Sequence, residues 1–185
     1  MTGPRRRPRP ALDVRVAVTP TDVEAHFAVR RAVFCDEQGI FEGSDRDAWD
    51  DVAIHVVVAH EGDVVGAVRL YELDKPGLWK GDRLAVLHDA RRLGAGAPLV
   101  RFAVATAGER GGTRMIAQIQ ERNVAFFAHL GWTAVGVPEE YRQVTHQLME
   151  IRLSGAVEPA RDWVLTLAGD PIHPSAYEAP PRLTL

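Results

Sequence analysis

Between Arg83 and Ala97 the chain reads Arg-Leu-Ala-Val-Leu-His-Asp-Ala-Arg-Arg-Leu-Gly-Ala-Gly-Ala. An apolar run, Leu84–Leu87, ends in a polar turn. Arg91, Gly94 and Gly96 then form an Arg-x-x-Gly-x-Gly pattern, and Leu99, Val100, Ala103, Val104 and Ala107 follow at helical spacing. A strand, a glycine turn and a helix start can together hold a phosphate. The first amides of a helix lack intrahelical partners, and the helix dipole places partial positive charge there. Glycine lets the backbone approach the ligand closely, and Arg91 and Arg92 add full charge at the same end. The pattern also serves as a plain tight turn. A dinucleotide fingerprint fits poorly, because Leu99 stands where its third glycine belongs. No Gly-Lys-Ser/Thr is present to make a P-loop.

A second group of reactive residues lies upstream. Asp36, Glu37, Glu42, Asp45, Asp47, Asp50 and Asp51 crowd one segment against a single arginine, Arg46. An amine ligand would relieve the stored repulsion. A solvated acidic loop is the plainer alternative. The proton-transfer candidates are His55, His146 and Glu37, with Tyr71 behind them, since histidine titrates near neutral pH. A strand histidine such as His146 can equally be a packed core residue. His26, His60, His88, His129 and His173 show no metal-ligand spacing, and no metal is expected. Cys35, beside Phe34, reads as a small apolar residue rather than a nucleophile.

These groups need a scaffold. Leu12–Val18 alternates as a strand, and Thr21 or Asp22 can cap a helix running to about Phe34. Ala53–Ala59 and Val64–Tyr71 read as a hairpin turned at Glu61-Gly62-Asp63, and Lys80–Leu87 as the strand that feeds the glycine turn. The following helix ends near Gly111-Gly112. Arg114–Gln120, Thr133–Val137 and Val144–Leu153 are further strands. Early hairpins and a β-α-β core indicate an α/β (α+β) domain, a central twisted mixed sheet flanked by helices, over residues 12–153. Residues 1–11 read as a disordered basic tail, with no apolar core of a secretory signal. The proline-rich segment 154–185 reads as a tail packed on the domain or on a partner subunit, so a homodimer stays open. The single cysteine suits a reducing cytoplasm. The net charge of −3 argues against dedicated nucleic-acid binding. No apolar run approaches the ~20 residues of a membrane span.

Two motifs carry a family resemblance. After the Arg91–Gly96 pattern come the strand Arg114–Gln120, Asn123, the aromatic pair Phe126-Phe127 and Gly131-Trp132. This order resembles the GNAT acyltransferases. Their coenzyme A loop reads Arg/Gln-x-x-Gly-x-Gly/Ala, and an Asn, a short aromatic helix and Gly-Phe follow the next strand. Arg30-x-x-x-Phe34, Glu37-Gln38, Asp45-x-Asp47-x-x-Asp50, His55 and Arg69-Leu70 narrow the resemblance. They are similar to small bacterial acetyltransferases with a Glu-Gln motif, to acetyltransferases linked to nitrogen starvation, and to acyl-homoserine lactone synthases.

The resemblance implies acetyl-CoA as co-substrate and direct acyl transfer to an amine. Amides from Leu93, Gly94, Ala95, Gly96 and Ala97 would hold the pyrophosphate, with Arg91 and Arg92 nearby. Leu84, Ala85 and Val86 would run beside the cofactor, with the Val86 backbone polarising the thioester, and Asn123 and Phe127 would line the pantetheine arm. Arg30, Phe34, Asp45, Asp47, Asp50 and Arg69 would border a small, cationic acceptor. Phe127 replaces a tyrosine that many GNATs use as general acid, which moves attention to His146 and His55, and Pro98 removes one helix-start amide. The alternatives are an autoinducer-type synthase using S-adenosylmethionine and a non-catalytic acyl-CoA sensor.

Overall fold

The computed structural model describes residues 11–153. The two expected tails, 1–11 and 154–185, lie outside the described residues except for residue 11. Among the described residues the strands are β1 (Leu12–Val16), β2 (Ile54–His60), β3 (Asp63–Glu72), β4 (Leu78–Val86), β5 (Arg114–Gln120), β6 (Thr133–Ala134), β7 (Glu139–Tyr141) and β8 (Val144–Arg152). The helices are α1 (Pro20–Arg31), α2 (Gly96–Glu109) and α3 (Val124–His129).

All eight strands join one mixed sheet in the order β1-β2-β3-β4-β5-β8-β6, with β7 on β8. Every pairing is antiparallel except β4 with β5, whose crossover is α2. Glu61 and Gly62 both take positive φ, 54° and 95°, and His60 pairs with Asp63. This is the two-residue turn that matches strand twist.

Successive β3 residues face opposite layers. Val68 and Leu70 pack with Leu99, Val100, Ala103 and Ala107 of α2. Ala67 packs with Val29, Val33 and Phe34 on the α1 side. Gly66 lets α2 lie close to the sheet, because a Cβ there would stand 2.8 Å from Val58 Cγ1 and 3.0 Å from Leu99 Cδ1.

Three local expectations are corrected. The α1 cap is Thr19, whose Oγ1 accepts from Asp22 N–H at 3.1 Å, with Pro20 at the first turn where its missing donor costs nothing. Residues 32–37 continue as a π-helical turn, closed by Gln38 N–H to Val33 C=O at 3.0 Å. The strand expected at Thr133–Val137 ends at Ala134, and Glu139–Tyr141 forms the further strand β7.

Candidate active site

β4 and β5 pair only where Leu78–Lys80 meets Arg114–Ile116. Beyond that they separate, while β5 stays zipped to β8 over its full length. A local break in β4 accompanies the parting. Arg83 takes φ of +53°, and the β3–β4 register shifts between Ala67 and Arg69. A cavity of about 450 Å³ occupies the opening. Val100, Ala103, Phe127 and Trp132 line it on the α2 side, and Phe34, Gln38 and Phe41 on the α1 side. The π-turn explains how Phe34 and Gln38 both reach it.

The α2 N-terminus lies one turn before Val100. Gly94 takes φ of +73°, the left-handed conformation that reverses the chain, and Ala95 caps the helix. Gly96 and Ala97 are its first two residues, whose amides have no intrahelical acceptor. The Asn123 side chain makes no capping bond to α3, and Trp132 Nε1 is buried without a partner. The helix-start amides suit a phosphate and the cavity suits an extended arm, while Arg91, Arg92, Leu93, Gly94, Ala95, Gly96 and Ala97 are not on the cavity lining.

Electrostatics on the α1 side differ from an open acidic loop. Arg30 Nε donates to Asp45 Oδ2 at 2.8 Å, and its Nη1 to Asp50 Oδ1 at 2.6 Å. Arg69 donates to Asp47 Oδ1 at 2.5 Å and to Asp82 Oδ1 at 2.7 Å. Arg83 Nη2 donates to Asp47 Oδ2 at 3.0 Å. Burial alone would raise the Asp50 pKa, but Arg30 and Arg69 outweigh it and hold it at about 2. Asp82 is likewise held well below the carboxylate range, because Arg69 outweighs the cost of its burial. Tyr71 Oη donates to Asp82 at 3.1 Å, and burial beside that carboxylate pushes the phenol well above its ordinary pKa.

Residues 25–132, more than half of the chain, match the acetyltransferase (GNAT) family. The chain belongs to this family. Among curated relatives of this GNAT, the Bacillus subtilis (strain 168) protein YyaT is 25% identical over 146 residues, covering 77% of this chain and 97% of YyaT. Escherichia coli ElaA shares the fold at a TM-score of 0.67 and 19% identity, over 76% of this chain and 99% of ElaA. BjaI, a coenzyme A-dependent acyl-homoserine lactone synthase, does so at 0.64 and 18%, over 85% and 86%.

The GNAT fold sorts the expected site residues into two groups. Leu84, Asn123, Phe127, Phe34, Asp47 and His146 line the cavity. Arg30, Asp45, Asp50 and Arg69 do not, and the expectation that they border an acceptor is corrected. Their charges neutralise one another inside the protein. Asp45 and Asp50 therefore no longer count toward the charge surplus that suggested a cationic acceptor.

His55 is corrected too. Its Nε2 bonds Asp50 C=O at 3.0 Å, its Nδ1 is buried without a partner, and it packs on His26 outside the lining. Glu37 is tied to Arg91 Nη2 at 2.6 Å, outside the lining, so Arg91 carries a counter-ion rather than free charge. Arg91 Nε also donates to Val86 C=O at 3.1 Å, and the β4 residues on the cavity are Lys80–Leu84, not Ala85 or Val86.

His146 stands differently. Its Nδ1 lies 2.8 Å from Val144 C=O, which makes Nδ1 the donor and leaves Nε2 as a lone-pair acceptor. Burial lowers its pKa, so the ring is neutral at pH 7. Sequence reasoning missed Gln38, Phe41, Arg83, Tyr141 and Arg142, all on the lining. Positive φ at Arg83, Arg142 and Gln143 has no sequence signature, since none of these is glycine.

Proposed function

We propose that this GNAT moves an acyl group, acetyl first among candidates, from coenzyme A directly to an amine of a small molecule. The observation that carries the reading is the cavity through the β4–β5 opening, lined by Asn123, Phe127 and His146, together with the glycine loop that starts α2. Acetyl-CoA supplies an activated thioester. Gly96 and Ala97 N–H groups bind its phosphates, and Asn123 and Phe127 guide the pantetheine arm. The β4 backbone beyond Lys80, which no longer pairs with β5, stabilises charge that develops on the carbonyl oxygen.

The amine nitrogen bonds to the carbonyl carbon, the C–S bond breaks, and the thiolate leaves with the electron pair. His146 Nε2 takes the proton that the nitrogen loses. Holding both substrates in line supplies much of the rate. No residue need form a covalent intermediate, and Cys35, absent from the lining, is not required.

Among the described residues no helix is long and apolar enough to cross a membrane. A cytoplasmic setting and a small-molecule partner are part of the proposal.

Thiol release from acetyl-CoA across an amine panel tests the reading. Release that depends on an amine supports it. Tight acetyl-CoA binding with no release under any amine supports the sensor instead. A lactone product formed only with S-adenosylmethionine supports the synthase.

A further inference from the structure

The acceptor side of the cavity is basic. Its two carboxylates are already held, Asp47 by Arg69 and Arg83, and Asp82 by Arg69 and Tyr71. Glu139, opposite His146 in the strand register, is exposed and lies off the lining. Two arginines on the lining, Arg46 and Arg142, make no ion pair with any described residue. Aromatic rings support them instead. Arg46 lies 3.5 Å from the Phe27 ring centroid, and Arg142 lies 4.5 Å from that of Phe41. Stacking fixes the plane of each guanidinium, and because Arg142 Nε donates to Tyr141 Oη at 3.0 Å, it is the two Nη groups of Arg142 that are left for a carboxylate.

Arg142 is held in place by a demanding backbone. Arg142 and Gln143 form the two-residue turn between β7 and β8, at φ of 50° and 61°. Such a turn favours Asn-Gly, and side chains in that conformation are strained. The same hairpin carries the base, with the Tyr141 ring 6.1 Å from that of His146. One hairpin therefore presents Arg142, exposed and without an ion pair among the described residues, and the His146 ring to one half-enclosed space. Low-dielectric walls focus such a charge on an incoming anion.

We propose that the acceptor is an amine that also carries an anionic group, a carboxylate in the simplest case: the amino-acid class rather than polyamines. Arg142, with Arg46, receives the carboxylate, and the amine meets Nε2 of His146. This rests on the N-acyltransfer reading and names its substrate class.

Matched amines with and without a carboxylate test it: leucine against isopentylamine, phenylalanine against phenethylamine, β-alanine against ethylamine. Each is assayed with the full chain for thiol release from acetyl-CoA, and titrated by calorimetry into protein saturated with coenzyme A. The carboxylate member of at least one pair is expected to show kcat/KM at least tenfold above its partner, and tighter binding. Arg142→Met and Arg46→Met, each with an unchanged melting temperature, should shrink that ratio through the acceptor KM, not through the KM of acetyl-CoA. Carboxyl-free members that match or exceed their partners in both assays overturn the proposal. So does a ratio that survives both substitutions. A calorimetric preference for the carboxylate with no turnover in any pair supports the anion site and overturns the N-acyltransfer reading.

Discussion

Arg30 Nε lies 2.8 Å from Asp45 Oδ2, and only 0% and 2% of the two side chains reach solvent. The pair, with Asp50 on the same guanidinium, is part of the fold rather than of the substrate surface. Removing one partner strands a buried charge. Arg30→Met is therefore expected to cost about 3–5 kcal/mol in urea unfolding at pH 7. The acceptor KM of whatever remains folded should be unchanged. A shifted acceptor KM at full stability would return Arg30 to the substrate site.

The glycine loop is expected to hold coenzyme A. Gly96→Glu sets a carboxylate where the phosphates would lie, and even its Cβ would stand 3.4 Å from Phe126 Cζ. Gly94→Glu adds the strain of a side chain at φ of +73°. Each should weaken acetyl-CoA at least tenfold, about 1.4 kcal/mol, by calorimetry on the folded variants. Undiminished affinity would place the cofactor elsewhere.

His146→Gln is expected to lower kcat by roughly 10²–10⁴-fold with acetyl-CoA affinity unchanged. Burial holds the His146 pKa below 6.5, so the neutral, proton-accepting ring prevails at pH 7. In the parent, kcat should hold near neutrality and fall as pH drops through a value below 6.5. That acid limb should vanish in His146→Gln. A variant with full turnover and an intact acid limb would assign His146 to packing alone.

His26 is fully buried and links the active-site scaffold to solution pH. Its Nε2 lies 3.3 Å from Val68 C=O, and burial, with His55 beside it, lowers its pKa to about 3. A depressed pKa in the folded state means stability present above the ordinary histidine value of 6.5 and lost as pH falls toward 3. Between pH 7 and pH 5 this one group should withdraw about 2 kcal/mol. Comparing urea unfolding at both pH values, His26→Gln should lose less than the parent by about that amount. An equal loss in the two proteins would locate the pH dependence in other groups.

The sequence by itself determined most of the order of elements, including the strand, glycine loop and helix to which we assign the cofactor. Arg114–Gln120 is a strand as its pattern predicts, and the hairpin turns at Glu61-Gly62. The glycine loop does precede an α-helix, because glycine, periodicity and chain order are local properties. What the acidic segment does was decided only in three dimensions. Asp45, Asp47 and Asp50 read as surplus charge because their counter-ions, Arg30, Arg69 and Arg83, lie 15 to 38 residues away in the chain. His55 and His146 look alike in sequence. Packing gives one a carbonyl partner off the cavity and the other a place on its wall. Arg142 reaches that wall through a left-handed turn that no residue in it announces. Charge sign at a site is a sum over neighbours, and neighbours across a sheet are set by register and bulges, which one-dimensional order does not encode.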